Sequence, residues 1–126
     1  MEVFRYVRLF TGDDGRSHFE ELEVPLEERD FAPPAAPLSV GALGEATGSF
    51  LLVAGPQRWR GDAPHPTPRR QISCVVEGHV RVTVGEGDSR EFFPGDLLLL
   101  EDTWGEGHAT EFLSERVVVA ATALIS

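Results

Sequence analysis

The chain has 126 residues, 41% hydrophobic and 25% charged, which suits one soluble domain with a single core and argues against wholesale disorder. Its net charge is −10 and all 11 basic residues are arginines; so acidic a surface repels nucleic-acid phosphates and anionic lipid, and the lack of lysine excludes Schiff-base and P-loop chemistry. The lone cysteine, Cys74, rules out an internal disulfide, the N-terminus lacks the basic and apolar pattern of a signal peptide, and no apolar run nears the ~20 residues of a membrane span, so the expected compartment is the cytoplasm.

The 13 glycines and nine prolines divide the chain into short segments rich in Val, Leu and Phe, with no long 3.6-residue periodicity. That pattern predicts an all-β sandwich or barrel. Val3 to Phe10 reads as a strand closed by the turn Thr11-Gly12-Asp13-Asp14-Gly15. His18 to Val24 is a second strand stopped by Pro25, and Leu26 to Arg29 is at most one helical turn. Phe31 to Pro37 is an irregular connection, Gly48 to Ala54 a strand, and Arg58 to Pro68 a proline-broken loop. Gln71 to Val76 and His79 to Val84 are strands, the latter alternating Val80, Val82 and Val84. Gly85-Glu86-Gly87-Asp88 is a hairpin turn, and no helix follows it that would make a phosphate loop. Arg90 to Phe93, Leu97 to Glu101, His108 to Phe112 and Arg116 to Ile125 complete the strands, with Pro94-Gly95-Asp96 as a tight turn.

Chemistry concentrates in two stretches, His65 to Gly78 and Phe93 to His108. If extended backbone runs on from His65, then His65, Thr67, Arg69, Gln71 and Ser73 share one face of a strand. Arg69, by that parity, is the arginine placed to meet a substrate carboxylate. His79 follows a turn opposite the valine face and reads as a surface residue, and Cys74 reads as a small buried apolar one.

The spacing His65-x-Thr67, three residues, Gln71, six residues, Gly78 resembles the first motif of the cupins, and Thr103-Trp104-Gly105-Glu106-Gly107-His108 occupies the slot of the second. The resemblance covers about residues 48–125, and residues 11–21 are similar to the start of a group of small bacterial cupins. It implies one domain over 1–126, a jelly-roll barrel of two antiparallel sheets, with 1–47 as N-terminal strands and connection and 48–125 as the barrel core. It implies a small-molecule ligand inside the barrel and a divalent metal (Zn, Fe, Ni or Mn) on His65, Gln71 and His108. Where the family usually has a second His and a Glu, this chain has Thr67 and Gln71, and His18, Glu20, Glu101 or Asp102 are the candidates to complete the site. His65 and His108 are the catalytic candidates, as metal ligands or as acid and base. Gln71, Arg69, Thr67, Trp59 and Trp104 are the ligand-binding candidates, with the two tryptophans at the barrel mouth or in core or dimer contacts. Three readings stay open: an oxygenase, isomerase, cyclase or lyase acting on a small polar or carboxylated molecule; a non-catalytic binding or sensing module with a degenerate metal site; and a structural partner. The resemblance also implies a homodimer, built on the N-terminal segment that carries Phe4, Tyr6, Phe10 and Phe19.

Overall fold

The computed structural model describes residues 2–57, 59, 61–85 and 87–125; Glu86, in the expected hairpin turn, and Arg58 and Arg60, in the expected loop, lie outside the described residues. The described residues form eleven strands and no helix. In chain order these are β1 (Glu2–Thr11), β2 (Ser17–Arg29), β3 (Leu38–Val40), β4 (Leu51–Pro56), β5 (Gly61–His65) and β6 (Gln71–Glu77). They continue with β7 (Val80–Val84), β8 (Asp88–Phe92), β9 (Leu97–Glu101), β10 (His108–Phe112) and β11 (Arg116–Ala123). A seven-stranded sheet runs β3-β2-β1-β9-β6-β11-β4, and a four-stranded sheet runs β5-β10-β7-β8.

The core lies between the two sheets. β7 shows the cause most simply: Val80, Val82 and Val84 are buried, while Arg81 and Thr83 point the other way. They meet Phe92 and Phe112 of their own sheet and Leu9, Val75, Leu98 and Val117 of the larger one. β9 lies inside its sheet, between β1 and β6, which explains its unbroken leucine run.

The all-β expectation holds, and three finer expectations are corrected. The sheets are not wholly antiparallel, because β1 pairs with β9 in parallel, Val7 opposite Leu98 and Phe10 opposite Glu101. They also face each other without joining edge to edge, so the barrel is not closed. Finally, Leu26 to Arg29 is not helical: β2 runs through Pro25 to Arg29, and β3 pairs only with its last three residues. Pro25 therefore sits where β2 has β1 alone beside it, an edge position that tolerates a missing N–H.

The proline-broken stretch before Pro68 contains a strand, β5, at the edge of the small sheet, where Pro64 is tolerated for the same reason. Two of the four N-terminal aromatics are occupied within the chain, while Phe4 is exposed: Phe19 packs on Phe92 and under Arg90, and Phe10 lies beside His18 and under Arg8. The most exposed apolar run is instead Phe50 to Val53 at edge strand β4, with Phe50 73% and Leu52 70% exposed.

Candidate functional site

β5 and β10 are neighbours in the small sheet, and their register sets His65 directly opposite His108. Two histidines 43 positions apart in sequence thus become a cross-strand pair, with ring centroids 5.4 Å apart. The approach depends on Gly107. Its φ of +79° is in the left-handed region, and a Cβ there would overlap the His65 carbonyl and Pro66 nitrogen.

Behind His108 lies Asp102, which is fully buried. Its Oδ2 accepts hydrogen bonds from His108 Nδ1 and Ser17 Oγ, each at 2.7 Å, and its Oδ1 accepts one from Thr67 Oγ1 at 2.7 Å. The Thr67 amide donates to the Asp102 carbonyl as well. Burial pushes the Asp102 carboxyl up, but hydrogen bonding and electrostatic attraction from His108, with the Ser17 and Thr67 bonds, outweigh it and hold it below the ordinary carboxylate range. An ionised carboxylate only accepts, so His108 donates from Nδ1 and carries its variable proton at Nε2. Nε2 makes no hydrogen bond among the described residues.

The period of two explains which carboxylate does what. Glu101 and Asp102 are adjacent, so they serve opposite faces of the large sheet. Asp102 faces inward with Leu98 and Leu100, whereas Glu101 faces outward and pairs with Arg8 and Arg70. Burial pushes the Glu101 carboxyl up, and hydrogen bonds from those two arginines bring it below its ordinary value. The same parity separates Ser17 from His18 and Glu20. Ser17 and Phe19 face inward; His18 bonds Asp14, and Glu20 bonds Arg8, on the outside. Of the four candidate completers, only Asp102 joins the histidines. Ser17 is the residue the sequence reading missed; its place two residues before inward-facing Phe19 was the signal.

The other candidates lie elsewhere. The face expected to run from His65 to Ser73 is broken, because β5 and β6 belong to different sheets and residues 66–70 cross between them. Thr67 stays with the histidines through Asp102. Arg69 and Gln71 line a separate groove with Ser49, Leu51 and Ala121. Trp59 stacks on Phe112, ring centroids 5.1 Å apart, at the far end of β10 from His108, and Trp104 is an exposed loop residue whose carbonyl accepts a bond from Thr11. Neither indole has a contact with the histidine pair among the described residues. His79 bonds Glu91 and stacks on Phe93, and both His79 and Cys74 are half-buried.

His108 also forms part of the wall of a cavity of about 100 Å³ between the sheets. Apart from His108 and Thr110 its lining is aliphatic and aromatic, including Val75, Leu98, Leu100 and Phe112. A space of that size takes roughly three to five non-hydrogen atoms, on the scale of about 30 Å³ per water.

The donor set does not fit the divalent metal that the resemblance implies. His65 and His108 supply two imidazoles, Thr67 and Asp102 are committed to one another, and Gln71 lines the other groove. Among the described residues no group of three or more His, Cys, Asp or Glu is placed to hold a metal ion. Among the described residues no helix is long and apolar enough to cross a membrane.

No protein-family model matches the chain, and no curated protein matches it. Among solved structures the chain is similar to one from Salmonella typhimurium LT2 described as an ethanolamine utilization protein Q, at 22% identity over 98% of each chain. The TM-score is 0.36, a superposition too loose to fix either the fold family or the function of this chain.

Proposed function

We propose that the chain binds a small molecule at the inter-sheet cavity and exchanges a proton with it through His108, with His65 alongside. The observation that carries this reading is the 2.7 Å bond between His108 Nδ1 and fully buried Asp102, on a ring that also lines the cavity. A buried carboxylate behind Nδ1 fixes the tautomer and orients the ring, leaving Nε2 as the working nitrogen. The cupin reading of the fold belongs with this proposal, supported by two facing β-sheets and a histidine pair between their motifs. A ligand held without turnover is the second reading. It is favoured because the Ser17 and Thr67 hydroxyls both donate to Asp102, so neither is held ready as a nucleophile beside the histidines.

Saturation-transfer NMR with short carboxylic acids, amides and alcohols, compared with His108→Gln, tests the site. At least one class should bind, shift the His108 ring signals and lose about tenfold or more in affinity in the variant. If no class perturbs either histidine ring, the proposal fails. Stoichiometric zinc, nickel, iron or manganese, lost on replacing His65 or His108, would replace it with a metal site.

We infer that the homodimer forms along β4 rather than through the N-terminal aromatics. In a chain of net charge −10, residues 48–56 carry no charge, and β4 is an unpaired edge that a second copy can extend about a two-fold axis. Light scattering at micromolar concentration should show a dimer for the wild type and a monomer for Leu52→Glu. A monomeric wild type overturns this.

A further inference from the structure

Nine of the eleven arginines are described, and among the described residues Arg69 is the one with no carboxylate partner. In a chain with 21 acidic residues that isolation is unusual. The Gln71 side chain likewise makes no hydrogen bond among the described residues. Both line one groove of about 230 Å³, floored by Leu51, Pro68, Ala121 and Ala123.

The groove lies next to the His108 cavity on the same inner face of the large sheet. Gln71 pairs across the sheet with Leu100, which lines the cavity. On β11 the cavity residue Val119 and the groove residue Ala121 are two apart, on one face. We propose that Arg69 and Gln71 anchor the carboxylate of a short-chain organic acid whose apolar tail extends toward His108. This rests on the reading of His108 as a ligand site and adds the class of ligand. A planar guanidinium matches a carboxylate by two parallel N–H bonds, and the Gln71 amide adds a third donor. A monoanion suits the site better than a phosphate, because one arginine must hold it against the charge of the whole chain.

The probes are hexanoate, hexanamide and hexan-1-ol, titrated by calorimetry and by the NMR signals of the histidine rings. Wild-type protein should bind hexanoate about tenfold or more tightly than hexanamide. Arg69→Leu should erase that preference, and Arg69→Lys should keep part of it by keeping the charge. His108→Gln should weaken all three probes and leave the preference for hexanoate intact. Equal binding of hexanoate and hexanamide, no hexanoate binding to the wild type, or an Arg69→Leu variant that keeps the preference would each overturn the anchor. An Arg69-dependent preference with silent histidine rings supports the anchor and refutes the proton-exchange reading instead.

Discussion

Replacing Asp102 by Ala should lower stability by about 3–5 kcal/mol, the cost of removing one partner of a buried charged cluster. The donors of Ser17, Thr67 and His108 would all lose their acceptor inside the fold. At this chain length that corresponds to a melting temperature lower by roughly 10–20 °C. Asp102→Asn keeps the shape but turns one acceptor into a donor facing a donor, and should cost about 1–3 kcal/mol. Acid should reveal the same group. Asp102 titrates lower in the folded chain than in the unfolded one, so its contribution is complete above the unfolded value of about 4 and is lost as pH falls through the folded value. Glu101, held low by Arg8 and Arg70 against its burial, acts in the same direction. Urea titrations from pH 7 to pH 2 should show stability falling below about pH 4 in the wild type and falling less in Asp102→Asn. An alanine variant that melts within a few degrees of the wild type would mean that the cluster is not closed in solution.

Gly107→Ala should be the most damaging single-methyl addition in the chain. The residue has a left-handed backbone, which costs a non-glycine about 1–3 kcal/mol, and its Cβ would meet the His65 backbone. Backbone cannot swing aside as a side chain can, so β5 must move off β10 and the histidine pair must part. Gly95→Ala is the matched control, with φ +98° and nothing within 4 Å of the added carbon. It pays the conformational cost alone. Thermal melts should place Gly107→Ala about 10 °C or more below wild type and clearly below the control. The His65 and His108 ring signals should shift in Gly107→Ala only. Equal melting of the two variants would show that the close approach is not maintained.

Strand character was legible wherever alternation or a leucine run dominated, as in β7 and β9. It was hidden where prolines sat at sheet edges, because a sequence does not show which backbone groups a neighbour will need. Pro25 and Pro64 therefore read as breaks although β2 and β5 pass through them. Within the site, the spacing picked out His65 and His108, and their closeness came from a cross-strand register that no local pattern carries. Parity was reliable inside a strand and misleading across a loop. It separates Ser17 from His18 correctly, but it placed Arg69 and Gln71 beside His65 when the chain changes sheets between them. Asp102 was one of four carboxylate or imidazole candidates, and only the inward turn of the chain after Glu101 distinguishes it.

The parallel pairing of β1 with β9 has a consequence for how the chain is made. Arg8 and its partner Glu101 are 93 positions apart. At about 5–20 residues per second, the ribosome takes roughly 5–20 s to synthesise that interval. Through that delay the β1–β2 hairpin exists without the strand that joins it to the rest of its sheet, and a two-stranded hairpin on its own is marginal in water. Leu9 and Phe19, destined for the interior, spend those seconds facing solvent. The nascent N-terminal hairpin thus waits for its partner, and it joins the rest of the large sheet only once β9 has emerged.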